Sequence, residues 1–228
     1  MPIPKTVNQD FFKHWSPNMA YVLGFFVADG SMYRTNRNTH FIEFQITDRK
    51  LLYDIQSILG SNHKITSRIG KNKNWKTRYR LQIGSKEIFQ DLEKLGMIQN
   101  KSKVMRFPDV PVEYFPDFLR GYFDGDGCVH FARYRRTDRG TWKWQLTVRF
   151  TSGNKLFLSD LWEILIRNEY VVGGHLGDKI RGYELVFGQH DSIALFKKIY
   201  HNASAKVFLD RKFNTFLRAL KTLDAVVA

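Results

Sequence analysis

The stretch Leu23-Gly24-Phe25-Phe26-Val27-Ala28-Asp29-Gly30 decides the reading, because Leu119-Arg120-Gly121-Tyr122-Phe123-Asp124-Gly125-Asp126-Gly127 repeats its punctuation. Both copies run through apolar and small residues and end in Asp-Gly. Each follows a helix start, Ser16-Pro17-Asn18 in the first copy and Phe115-Pro116-Asp117 in the second, where proline suits the first turn and Asn or Asp can cap. Each precedes a strand pair: one strand after Gly30, a polar turn at 35–38 and a strand over 40–47; then one strand from Gly127 to about 136, a turn at 137–140 and a strand over 141–151.

The two halves continue in parallel. A helix fits 49–59, with Leu51, Leu52, Ile55, Ile58 and Leu59 on one face, and another fits 155–167. Further strand pairs follow at 64–69 with 77–83 and at 170–176 with 179–187, then helices at 86–95 and 192–200. The order is αββαββα, twice, which predicts an α+β fold of two pseudo-symmetric halves. The N-terminal half spans 10–106, a linker carrying Pro108 and Pro111 spans 107–113, and the C-terminal half spans 114–228. An apolar helix over 210–220 falls outside the repeat.

Ala20, Gly24 and Ala28 form a ridge of small side chains along the first repeated helix, and Gly121 and Gly125 offer the same spacing on the second. Packing the two ridges together brings the helix C-termini to one place, and with them Asp29 and Asp126. Two carboxylates at negatively polarised helix ends repel, and a divalent cation resolves the conflict. Hard oxygen ligands suit Mg²⁺, and a metal held by carboxylates hydrolyses phosphodiesters. A lone Asp-Gly marks only a turn, but two copies, each after a small-residue ridge and before a strand pair, argue for more. The Asp124-Gly125-Asp126-Gly127 run lacks the further acidic ligands and distal Glu of a calcium loop.

Composition narrows the partner. Lysine and arginine number 36 against 22 acidic residues, a formal net charge of +14 with a pI near 9.8, which points to a polyanion such as nucleic acid. One cysteine, Cys128, forms no internal disulfide and builds no zinc site, so a metal must be held by oxygen and a reducing intracellular setting fits. Residues 1–10 hold no signal-like apolar run and no segment approaches membrane-spanning length. The expectation is a soluble protein of the cytoplasm or an organelle matrix, not secreted and without a membrane partner.

Both segments resemble the LAGLIDADG motif, and nearly the whole chain resembles the single-chain, two-motif homing endonucleases of that family. The resemblance implies two saddle-shaped antiparallel sheets lying in the major groove of double-stranded DNA. It implies Asp29 and Asp126 as metal ligands, with Ala28 and Gly125 offering backbone carbonyls to Mg²⁺, for which Mn²⁺ is expected to substitute. It further implies site-specific cutting of both strands of a long pseudo-palindromic target across the minor groove, short 3′ overhangs, and service to intron or intein mobility. Two motifs in one chain make a monomer sufficient. The family places a basic residue from each half near the scissile phosphates, which nominates Lys103 and Lys206 from Lys101-Ser102-Lys103-Val104 and Ser204-Ala205-Lys206-Val207, with Lys101 an alternative. A polar position after the second strand maps onto Asp48 and Ser152, with a minor water-organising role. The motif departs from the family at Val27, where an acidic residue often stands as Asp124 does; that position is not the family's metal ligand, and cleavage is expected to survive.

The strands bear independently on a DNA-reading surface. Over 142–150, Trp142, Trp144, Leu146, Val148 and Phe150 share one face while Lys143, Gln145, Thr147 and Arg149 share the other. Tyr79, Leu81 and Ile83 likewise oppose Arg78, Arg80 and Gln82, side chains that can read base edges. Ser31, Tyr33, Thr35 and Arg37, with His130, Tyr134 and Arg136 as counterparts, and Gln45, Lys64, Thr66 and Arg68 extend the surface. The loop 71–76, ending at Lys76, is expected to contact phosphates. Two other readings remain: an RNA maturase or non-cutting DNA-binding protein of the same fold, the former with intron RNA as partner, and an unrelated basic protein of two ferredoxin-like halves that binds no metal and tolerates Asp29→Asn.

Overall fold

Ser16 starts the first helix: its hydroxyl accepts from the Met19 N–H at 3.1 Å, Pro17 fills the first turn, and α1 runs Pro17–Asp29. The computed structural model describes residues 4–69, 76–99, 104–201 and 207–227. After α1 come β1 (Gly30–Arg34), β2 (His40–Ile46), α2 (Arg49–Ile58), β3 (Ile65–Arg68), β4 (Arg78–Gly84) and α3 (Lys86–Lys94). A 3-10 turn, Val112–Tyr114, leads into the second half: α4 (Phe115–Asp126), β5 (Gly127–Arg135), β6 (Trp142–Ser152), α5 (Lys155–Arg167), β7 (His175–Lys179), β8 (Gly182–Phe187), α6 (Gln189–Ile199) and the additional α7 (Asp210–Val227). Two antiparallel sheets result, ordered β1-β2-β4-β3 and β5-β6-β8-β7. The α+β fold of two repeated αββαββα halves is the one expected.

Residues 19–27 of α1 are buried on every side, as expected of a helix in the middle of a core. It lies against α4, and the contact is backbone on backbone. A Cβ on Gly24 would overlap the Phe118 carbonyl oxygen and stand 2.9 Å from the Tyr122 nitrogen; one on Gly121 would overlap the Tyr21 carbonyl and stand 2.9 Å from the Phe25 nitrogen. The helices therefore cross where each lacks a side chain. The glycines that close the motifs act differently. Gly30 and Gly127 have φ of −84° and −83°, open to any residue, but a Cβ there would collide with the Phe26 or Phe123 ring beneath.

Helices α2 and α3 cover the back of the first sheet, and α5 and α6 the back of the second. Ile42, Phe44, Leu81 and Ile83 fill the first core, and Leu146, Val148, Phe150, Leu185 and Phe187 the second. Three local expectations are corrected. Residues 170–174 form no strand: Tyr170 and Val171 are buried, the Val172 and Gly173 N–H groups donate to the Asp191 carboxylate at 3.1 and 3.0 Å, and β7 starts only at His175. Trp142, on the core parity of β6, overhangs the core's edge with 56% of its surface exposed and the Arg133 guanidinium over its ring. Asp117 does not cap α4; it forms a buried ion pair with Arg120 at 2.8 Å. No helix among the described residues is long and apolar enough to cross a membrane.

If the Gly24–Gly121 crossing holds the halves together, Gly121→Val forces the backbones apart and lowers unfolding stability by about 3 kcal/mol, an overpacking effect at its upper range. A thermal melt reads this directly, and an unchanged midpoint would mean that the helices do not meet there.

Candidate active site at the ends of the central helices

Each motif aspartate closes its helix and its chain turns at once into a strand. The Gly30 N–H donates to the Phe26 carbonyl and the Gly127 N–H to the Phe123 carbonyl, so both helix ends are fixed alike. On the second, the Thr151 hydroxyl also donates to the Asp126 carbonyl at 3.0 Å. Both aspartates are half-buried.

Two cavities lie at the helix ends, one lined by Asp29 and the other by Asp126. The Asp29 cavity, about 480 Å³, is bounded by Ala28, Gly30, Ser31, Gln45, Ile46, Thr47, Arg78, Asp124, Gly125 and Arg211. The Asp126 cavity, about 40 Å³, is bounded by Val27, Ala28, Met105, Tyr122, Ser152, Gly153, Asn154 and Phe157. Each therefore combines the acid of one half with the residue before the acid of the other half: Asp29 with Gly125, Asp126 with Ala28. The crossing is tight enough that a Cβ on Gly125 would overlap that of Ala28 and sit 3.4 Å from Asp29 Oδ2.

The acids that line the cavities, Asp29 and the buried Asp124 in one and Asp126 in the other, are oxygen donors of the kind that suit a hard cation, which takes one or two carboxylates and completes its shell with phosphate and water. No group of three or more His, Cys, Asp or Glu side chains suited to a metal occurs among the described residues. Such a cation would thus depend on its substrate for ligands.

A buried polar cluster stands behind this site. Asp124, 1% exposed, accepts from the Tyr21 hydroxyl of α1 at 2.8 Å, from the Leu209 N–H at 2.9 Å and from the Tyr200 hydroxyl at 3.4 Å. Burial pushes its carboxyl up to about 6, against the pull of Lys212 and the donated hydrogen bonds. Lys212 of α7, 3% exposed, sets its ammonium on the last carbonyls of α4: that of Phe123, that of Asp124 at 2.8 Å and that of Gly125 at 3.4 Å. A cation there complements the helix dipole, though burial lowers its own proton affinity to about 8. Arg120, 2% exposed, donates to the Val207 and Ile199 carbonyls at 3.0 and 3.1 Å and lies over the Tyr21 ring. Neither Lys212 nor the Arg211 beside the Asp29 cavity could be found from the repeat, because α7 has no copy in it.

Each sheet has a face opposite the one that its helices cover. In the first sheet, the pairings Ser31↔Glu43↔Gln82, Tyr33↔Phe41 and Gln45↔Arg80↔Thr66, with Arg68↔Arg78, bring the nominated residues onto one face. Ser31, Gln45, Thr66, Arg68 and Arg78 are exposed there, Tyr33, Arg80 and Gln82 partly so, and the Gln82 amide donates to the Tyr33 hydroxyl. Lys64, just before β3, and Lys76, just before β4, are exposed at opposite ends of that hairpin; Arg37 is exposed in the turn, where the Thr35 hydroxyl accepts from the Thr39 N–H at 3.2 Å. In the second sheet His130 and Tyr134 bond to each other, Lys143 and Gln145 are exposed, and Arg136 is held by Asp138 at 2.7 Å.

Thr147 shares that parity but is buried, its hydroxyl without a hydrogen-bond partner among the described residues, so it is covered rather than presented. Asp48 accepts from the Leu51 N–H at 3.0 Å as the N-cap of α2, while Ser152 borders the Asp126 cavity. Glu43 and Glu184, acids on the same faces, pair with Arg80 and Arg149, pairings to which the sequence did not point. Lys103, Lys206, the alternative Lys101 and the loop 70–75 lie outside the described residues.

The LAGLIDADG-like domain family matches residues 16–96 and 117–199, one segment per half, and the chain belongs to that family. Solved single-chain LAGLIDADG meganucleases share its fold. I-AabMI bound to uncleaved DNA superposes with a TM-score of 0.60 at 14% identity over 93% of this chain and 91% of that one. I-SmaMI bound to cleaved DNA gives 0.62 at 13% over 91% and 88%, and I-CpaMI bound to uncleaved DNA 0.62 at 13% over 93% and 92%. Among curated proteins, segments of three Methanocaldococcus jannaschii proteins are similar: an uncharacterised protein at 26% identity over half of this chain, a DNA-directed RNA polymerase subunit at 25% over 58%, and the replication factor C small subunit at 27% over half. The matched regions span 40%, 14% and 6% of those proteins.

The raised Asp124 carboxyl carries a pH consequence. Between its ordinary value of 3.8 and about 6 the folded chain holds a proton that the unfolded chain has lost, so this group makes stability fall as pH rises through that window. In Asp124→Asn, whose amide oxygen can still accept from Tyr21 and Leu209, that contribution of up to about 3 kcal/mol is absent. Chemical denaturation at pH 4 and pH 6 should show the wild type losing ground to the variant; a pH-independent difference would contradict the assignment.

Proposed function

We propose that this chain is a site-specific double-strand DNA endonuclease of the homing type, acting as a monomer on a long pseudo-palindromic target with Mg²⁺, and leaving short 3′ overhangs. The observation that carries the reading is the pair of cavities at the helix ends, each combining an aspartate of one half with the backbone of the other, flanked by two basic, amide-bearing sheet faces. The family membership supports it, as do the DNA complexes of the meganucleases that share the fold.

In this reading Asp29 with the Gly125 carbonyl, and Asp126 with the Ala28 carbonyl, hold the divalent cations, with Mn²⁺ substituting for Mg²⁺. The bound cation supplies Lewis acidity toward a scissile phosphate and a site for water. The chain's own residues do the rest. The sheets grip the major groove and fix register: arginines and lysines contact phosphates, while Gln45, Gln82, Gln145 and the exposed arginines reach base edges. Lys103 and Lys206 are the basic groups proposed near the cut phosphates, where they stabilise developing charge. Arg78 and Gln45 border the Asp29 cavity, so base reading and the cutting centre are joined on one sheet face.

Cleavage of a randomised duplex library with Mg²⁺, followed by sequencing of the cut ends, tests this. The wild type should yield one recurrent long site with matching 3′ overhangs, and Asp29→Asn with Asp126→Asn should lower cutting at least 10³-fold, as loss of electrostatic and metal stabilisation typically does, while leaving binding intact. Cutting retained by the double variant overturns the assignment, and binding to structured RNA in preference to duplex DNA points to a maturase. Affinity for duplex DNA should also fall by orders of magnitude between 50 and 200 mM salt, as phosphate contacts require; a flat salt response would contradict groove binding by these basic faces.

A further inference from the structure

The strand registers make the halves comparable residue by residue. Gly30 faces Phe44 and Gly127 faces Phe150; Phe44 in turn faces Leu81, and Phe150 faces Leu185. One residue before each of these, Glu43 of β2 occupies the place of Arg149 of β6, and Arg80 of β4 occupies the place of Glu184 of β8. Both halves carry an ion pair at these equivalent positions, with its polarity exchanged.

The exposures add a direction. In the first half the Glu43 side chain is 8% exposed and its partner Arg80 is 42% exposed, with Arg80 Nε 2.9 Å from Glu43 Oε2. In the second half Glu184 is 24% exposed and Arg149 is 42% exposed, with Nη1 and Oε2 3.8 Å apart. The acid is the more covered member each time; the Nε of each arginine is buried without a hydrogen-bond partner among the described residues, so each pair holds by charge while the rest of the guanidinium is partly exposed. Gln45 donates to Glu43, and Lys179 lies 3.8 Å from Glu184, so each carboxylate has a second polar neighbour.

A carboxylate on a face built for a polyanion is unfavourable unless it has work there, and holding an arginine is such work. A guanidinium fixed in advance loses less rotamer entropy on binding, and its fork matches guanine O6 and N7. Resting on the DNA reading above, we propose that these pairs are the determinants of half-site asymmetry. Glu43 presents Arg80 from β4 to a guanine in one half-site, and Glu184 presents Arg149 from β6 to a guanine in the other. Because the two arginines stand on non-equivalent strands, the guanines they read lie at different distances from the centre of the target.

Binding selection from a randomised duplex library, with the unsubstituted protein, Arg80→Gln, and the exchange Glu43→Arg with Arg80→Glu, tests the proposal. Arg80→Gln alters a side chain at the surface and should lower guanine preference on the order of tenfold at one position of one half-site only. The exchange should move that preference to the position mirroring the other half's guanine. Profiles unchanged by both substitutions, or a loss spread evenly over all positions as from a phosphate contact, overturn the proposal while leaving the DNA reading in place. If the unsubstituted protein enriches no duplex at all, the DNA reading falls and this inference with it.

Discussion

Gly24 and Gly121 face each other's helix backbones where a single methyl group would collide with a carbonyl oxygen. From that close approach follows most of what is distinctive in the molecule. Only helices that touch backbone to backbone can bring two motif ends so near that each cavity is shared between halves. Had bulkier ridges separated α1 from α4, Asp29 would face solvent without Gly125, and Asp126 would lack Ala28. The rest of each half serves this contact: the sheets turn away from the helix ends at Gly30 and Gly127, and α2, α3, α5 and α6 seal the backs of the sheets.

Bringing two helix C-termini and their carboxylates together concentrates negative charge, and the chain answers it with buried groups as well as exposed ones. Lys212 puts an ammonium on the final carbonyls of α4, and Asp124 collects two tyrosine hydroxyls and the Leu209 N–H, linking α1, α4, the end of α6 and the entry to α7. The arrangement is one-sided, because α7 belongs to the second half alone. Val27 stands where Asp124 stands in the other motif, and it is simply part of the core. The pseudo-symmetry of the two helix ends thus sits on an asymmetric support.

Much of this was legible in the sequence because it is local or repeated. The small-residue ridge, the Asp-Gly ends and the period of α2 each lie within one element, and the matching order of two halves reinforced the assignments. What was not legible depends on non-local partners. Glu43 reads as one more charge on a strand until β4 brings Arg80 beside it, and the covering of Thr147 likewise shows only in the folded sheet. Lys212 looks like any basic residue of an amphipathic helix until α7 docks. Residues 170–174 have strand-like composition, yet a left-handed Glu169 and the Asp191 carboxylate capture the backbone first. Asp48 and Asp117, polar residues near helix starts, divide between a true cap and a buried ion pair, which spacing alone does not distinguish.

The central proposal is that each motif aspartate holds a cation together with the backbone of the other half. Anomalous scattering from Mn²⁺ in crystals of the protein with a bound duplex tests it most directly. The account expects manganese peaks between the Asp29 carboxylate and the Gly125 carbonyl and between the Asp126 carboxylate and the Ala28 carbonyl, with DNA phosphates completing the shells. Manganese bound elsewhere, or a duplex lying away from the helix ends, would contradict it.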